Sequence, residues 1–137
     1  MSDTANKNPI NPMKQHGAFS WNELTTTDME GAKSFYQKMF NWQMEDVSGD
    51  DMPYMMAKIA DQQVAGFMPT PPEANGMPPM WGGYVTVDDV DTSAKQAIEL
   101  GGTVLLEARD IPEVGRFCVI SDPQGATLSL ITYFDKS

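Results

Sequence analysis

Along residues 19–26, Phe19, Trp21, Glu23 and Thr25 alternate with Asn22 and Leu24, a period of two that predicts a strand. Thr27 or Asp28 can cap a following helix, because a short oxygen-bearing side chain can accept from its first unbonded backbone N–H groups. Ala32, Phe35, Tyr36, Met39 and Phe40 then recur at helical spacing and predict the core stripe of that helix. Asn41 and Trp42 close it, residues 42–47 read as a strand, and residues 48–51 as a turn. Residues 54–59 and 64–68 predict a hairpin around residues 60–63. After a segment rich in Pro, Gly and Asn, the pattern resumes with a strand over 83–87 and a helix over 90–100. Gly101 and Gly102 mark the exit, residues 103–108 form a strand, and 116–121 pairs with 126–134 around Asp122-Pro123-Gln124-Gly125.

The order strand, helix, three strands therefore occurs twice. At an offset of 61 residues, Asp28, Met29 and Glu30 fall on Asp89, Val90 and Asp91. The reading is an α+β protein of two βαβββ modules, able to face each other across a pseudo-twofold with curved mixed sheets around a cleft. The expected organisation is a flexible N-terminal tail over 1–16, a first module over 17–69, a Pro-rich linker over 70–80 and a second module over 81–137. At 137 residues the two modules must share one compact unit.

Composition narrows the function. With nine Lys and Arg scattered among nineteen acids and a formal charge of −10, the chain lacks the basic clusters that bind nucleic acid. No stretch approaches the ~20 apolar residues of a membrane span. The polar start lacks the apolar segment of a secretory signal, which makes the cytoplasm the default location. Cys118, the single cysteine, sits in the run Phe117-Cys118-Val119-Ile120 and reads as a buried structural thiol.

Several segments carry a resemblance. Asp28 through Ala32-Lys33-Ser34-Phe35-Tyr36 to Phe40-Asn41-Trp42, Val87-Asp88-Asp89-Val90-Asp91, Gly101-Gly102, and Val114-Gly115-Arg116 through Asp122-Pro123-Gln124-Gly125-Ala126 occur in this order. In them the chain resembles the glyoxalase/bleomycin-resistance/extradiol-dioxygenase superfamily, also called vicinal oxygen chelate proteins, over about residues 17–133. The resemblance implies paired βαβββ modules, each curving around a cup, and often a homodimer. It also implies His and Glu ligands on central strands, holding a divalent ion that polarises substrate oxygens. At the positions that match those ligands this chain carries Trp21, Gly82 and Ser129, with only Val, Ala, Gly, Phe and Met over residues 64–68. None is an ordinary ligand for Zn²⁺, Ni²⁺, Mn²⁺ or Fe²⁺, so neither a metal nor another cofactor is expected. His16, the only histidine, precedes the first strand and reads as a solvated loop residue.

If Leu24, Val85, Val87, Leu128 and Leu130 pack on the helices, alternation aims Trp21, Glu23, Thr25, Gly82, Tyr84, Thr86, Thr127 and Ser129 the other way. That surface offers aromatic stacking area, hydroxyls for orientation and one carboxylate. Arg116, behind the loop 110–115, adds a group able to hold an anionic or amide ligand by two hydrogen bonds. Three functions compete on these residues. One is a metal-free binder of a small aromatic or amphipathic molecule in the cleft between modules. Another is an enzyme of the lyase, isomerase or glyoxalase class, either metal-free with Glu23 as general base or metal-dependent with an atypical site. The third is a non-catalytic module for dimerisation or interaction.

Overall fold

The computed structural model describes residues 9–49, 53–72 and 76–135. Its elements run β1 (Phe19–Thr26), α1 (Met29–Phe40), β2 (Gln43–Asp46), β3 (Met55–Ile59), β4 (Gln62–Pro69), β5 (Met80–Thr86), α2 (Val90–Glu99), β6 (Thr103–Ile111), β7 (Gly115–Ser121) and β8 (Thr127–Tyr133). This is βαβββ twice, the α+β plan read from the sequence. The chain forms two compact units, residues 21–83 and residues 1–20 with 84–137. The division falls inside β1 and inside β5.

In the unit 21–83, β2, β3 and β4 form an antiparallel meander, and β1 joins β4 in parallel with Glu23 beside Gly66 and Leu24 beside Phe67. The other unit repeats this arrangement. β6, β7 and β8 are antiparallel, and β5 runs parallel to β8 with Tyr84 beside Ser129 and Val85 beside Leu130. A parallel pair needs a crossover, and α1 and α2 begin the two crossovers. Each helix starts on a capping aspartate: Asp28 accepts from the Gly31 N–H at 2.9 Å, and Asp89 from the Asp91 N–H at 3.1 Å. Asn41 ends α1 in the left-handed region at φ 60°, a conformation asparagine tolerates better than most residues.

Each unit has its own core. Leu24, Met55, Ala57, Ala65 and Phe67 are buried in the unit 21–83, with Met29, Ala32, Tyr36 and Trp42 packed against them. Val87, Val90, Cys118 and Leu130 are buried in the other, against Val85, Ala94 and Leu128. The helix-facing strand residues are thus the expected ones. Cys118 is fully buried, and burial pushes its thiol up, as suits a structural cysteine.

Two expectations need correction. The stripe assigned to α1 divides: Ala32 and Tyr36 pack on the core, whereas Phe35, Met39 and Phe40 are each more than half exposed. On a helix advancing about 100° per residue, positions 35 and 39 lie on the flank of the face that carries 32 and 36. Strand β5 begins at Met80 rather than residue 83. Gly82 and Gly83 weaken the local strand signal, but Trp81 packs its ring 5.8 Å from Phe67 and anchors the early start. The expected turn over 48–51 lies partly outside the described residues, as do residues 1–8 of the expected tail.

Candidate functional site

Alternation along β1 puts Trp21, Glu23 and Thr25 on the face opposite Leu24, and all three are half-buried. Trp21 and Glu23 are joined by a residue outside the expected set. Tyr54 receives the Trp21 Nε1–H at 3.1 Å and donates its own hydroxyl to Glu23 Oε2 at 2.8 Å. Its backbone is held where the chain enters β3: the Tyr54 carbonyl accepts from the Val47 N–H at 2.9 Å, and its N–H donates to Ser48 Oγ at 3.0 Å. The side chain then lies over Gly66, the parallel neighbour of Glu23, in space that a Cβ would occupy. A neutral N–H, a phenol and a carboxylate thus form one directional chain, with the carboxylate oriented by a donor. Thr25 stands two residues along the same face, beside Met68.

The signal for Tyr54 was Gly66. A glycine inside an apolar strand marks the close approach of another group. Which group approaches depends on the register of β3, β4 and β1, set by pairing over a sequence distance that no local pattern spans.

In the other unit, Tyr84 is buried, its ring 6.2 Å from Phe117. Thr86 is buried too, and the protein itself satisfies its hydroxyl. Thr86 Oγ1 donates to the Pro12 carbonyl at 2.7 Å and lies 2.8 Å from Ser20 Oγ, which is 2.8 Å from the Tyr133 hydroxyl. Burial pushes the Tyr133 phenol up, and its hydrogen bond with Ser20 acts in the opposite direction. The Thr86 backbone accepts from the Gly17 N–H at 2.7 Å and donates to the Ala18 carbonyl at 2.8 Å. His16 lies in a loop as expected, and its Nδ1 accepts from the Asp88 N–H at 2.9 Å. Ser129 is half-buried beside Tyr84, and Thr127 is exposed at the start of β8.

Arg116 is engaged by carboxylates of its own unit. Its Nε and one terminal nitrogen donate to the two oxygens of Asp91 at 2.9 and 3.1 Å, and the other donates to Asp110 at 3.0 Å. This fork holds the Asp91 carboxyl below the usual carboxylate range, chiefly through the hydrogen bonds from Arg116. A depressed folded-state value contributes stability above the range where an unfolded aspartate titrates, and the contribution is lost as pH falls through the folded-state value. Arg116→Gln is therefore expected to move the Asp91 titration upward, toward 3.8. Carboxyl-carbon NMR would follow it, and an unmoved titration would place the two groups apart in solution.

Among the described residues, no group of three or more His, Cys, Asp or Glu side chains is gathered to hold a metal ion. Trp21 gives its N–H to Tyr54, Gly82 has no side chain, Ser129 offers one hydroxyl, and the only carboxylate on the β1 face accepts from Tyr54. Among the described residues, no helix is long and apolar enough to cross a membrane.

Comparisons with known proteins follow the same division between fold and chemistry. The family model of the Glyoxalase/Bleomycin resistance protein/Dioxygenase superfamily matches residues 17–130. CFP32 of Mycobacterium tuberculosis (strain CDC 1551 / Oshkosh), which carries a glyoxylase name, is 41% identical over 119 residues, 85% of this chain and 46% of that protein. The anthracycline biosynthesis protein DnrV of Streptomyces peucetius is 29% identical over 127 residues, 83% of this chain and 46% of that one. The chain thus spans about half the length of the curated relatives it matches. Among solved structures, methylmalonyl-CoA epimerase from Mycobacterium tuberculosis superposes with a TM-score of 0.65 at 16% identity, covering 96% of this chain and 97% of that one. At that identity the likeness is one of fold.

Proposed function

Because the chain belongs to the Glyoxalase/Bleomycin resistance protein/Dioxygenase superfamily, whose model matches most of its length, we propose that it binds a small, flat aromatic or amphipathic molecule at the Trp21–Tyr54–Glu23 face. The observation that carries this reading is the chain of hydrogen bonds from Trp21 through Tyr54 to Glu23. It holds an indole and a carboxylate in fixed relation on a half-buried strand face. The indole supplies stacking area, the carboxylate accepts from a hydroxyl or amine of the ligand, and Thr25 adds a hydroxyl beside them. Pre-set geometry of this kind lowers the ordering cost of binding. Two relatives are named for anthracycline biosynthesis, which makes a planar polycyclic molecule with hydroxyl and amine groups a fitting first ligand.

The test is titration with a fluorescent anthracycline, followed by its emission and by tryptophan quenching. Saturable binding with one ligand per chain is expected. Tyr54→Phe keeps the ring and removes the hydroxyl, and it is expected to weaken binding roughly tenfold, the scale of one hydrogen bond to a charged group. Absence of saturation, or equal affinity in Tyr54→Phe and Trp21→Ala, would sink the reading. Turnover of a glyoxalase- or isomerase-type substrate that disappears in Glu23→Gln would replace it with catalysis, Glu23 serving as base.

A further inference from the structure

The register of β1, β4, β3 and β2 extends the Trp21–Tyr54–Glu23 face beyond the residues already described. Entering and along β3, Tyr54, Met56 and Lys58 alternate with Met55 and Ala57, which are buried in the core. They therefore project to the opposite side, where the Tyr54 ring lies over Gly66. Pairing sets Met56 beside Gly66, itself the neighbour of Glu23, and beside Glu45 on β2. Lys58, two residues along from Met56, is half-buried and forms an ion pair with Glu45. Residues 21–83 hold three basic side chains, of which Lys33 and Lys38 stand on α1. Among the described residues, Lys58 is thus the one basic side chain on this face of the unit's sheet.

Resting on the ligand-binding reading of this face, we infer that Lys58 is its second polar anchor. The ligand is then a flat aromatic ketone or quinone that carries a hydroxyl or amine at its other end. β3 lies two strands from β1, about 10 Å away at ~4.8 Å per step, a span that fused aromatic rings bridge. An ionised carboxylate only accepts hydrogen bonds and an ammonium only donates them, so the two ends ask for opposite groups. A donor on the ligand meets Glu23. A carbonyl oxygen meets Lys58, whose three N–H donors exceed what one contact with Glu45 uses. Between the two ends Met56 offers a thioether that adapts to an apolar ring plane. Charge selects a neutral acceptor over an anion: Glu23 and Glu45 outnumber Lys58 on this face, which opposes a ligand carboxylate.

Two probes of the same ring outline test the inference: 2-aminoanthraquinone, which has ring carbonyls, and 2-aminoanthracene, which lacks them. In fluorescence titrations the wild-type chain is expected to bind both, the quinone roughly tenfold or more tightly, the scale of one hydrogen bond to a charged group. Lys58→Met keeps the apolar stem and removes the donors. It is expected to bring the two affinities together while changing that of 2-aminoanthracene by less than about twofold, the level of an ordinary surface change. Lys58→Arg keeps a donor and should keep the preference. Glu45→Gln breaks the same ion pair but leaves the ammonium, so it should keep the preference too, which a merely structural ion pair would not. Equal wild-type affinities, a preference that survives Lys58→Met, or one that Glu45→Gln removes overturns the inference and leaves the ligand-binding reading standing. A wild-type chain that binds neither probe overturns both.

Discussion

Replacing Phe67 with alanine is expected to destabilise the protein by ~3–5 kcal/mol, the range for removing a buried aromatic ring. Phe67 is fully buried on β4 beside Leu24, and its ring meets Tyr36 at 5.7 Å, Trp81 at 5.8 Å and Trp42 at 6.4 Å, each close to perpendicular. Those edge-to-face contacts add to the area term, and Tyr36 is one of the α1 residues, with Met29 and Ala32, that pack on this core. The loss is large beside a total folding stability of about 5–15 kcal/mol. Urea unfolding followed by tryptophan emission measures it, since Trp42 and Trp81 report on the same cluster. A loss below ~1 kcal/mol, the level of ordinary surface changes, would show that the cluster is not packed this way.

Gly66→Ala is expected to weaken ligand binding at the Trp21–Tyr54–Glu23 face by roughly tenfold or more, as Tyr54→Phe does, while costing only ~1–3 kcal/mol of stability, as overpacking does. The new methyl group falls where the Tyr54 hydroxyl end lies, so the ring must leave and both of its hydrogen bonds go with it. The cause is checked by combining it with Tyr54→Ala. Once the ring is gone there is nothing for the methyl to strike, so the double variant should be more stable than the two single losses added together, while binding stays weakened. Strict additivity would mean that the glycine serves the strand rather than the tyrosine.

Local patterns carried much of the architecture. The period-two alternation of β1, the aspartates at the starts of α1 and α2, Asn41 at the end of α1 and the Asp122-to-Gly125 turn all act through neighbours in sequence, where sterics and backbone hydrogen bonding are decided. The same patterns identified Leu24, Val85, Val87, Leu128 and Leu130 as helix-facing, and the order of the motifs identified the family. Trp21, Glu23 and Thr25 were legible as one strand face for that reason too.

What the tertiary structure decided lies in contacts between distant residues. Tyr54 joins Trp21 and Glu23 only because the register of three strands lays its ring over Gly66. Arg116 is taken up by Asp91 and Asp110, and Thr86 by Pro12 and Ser20, across separations no periodicity encodes. Helical spacing marked Phe35 and Met39 as apolar but was silent on whether a sheet would reach that flank. A hydrophobic pattern states which side chains gain by leaving water, and only the assembled sheet determines which of them find cover.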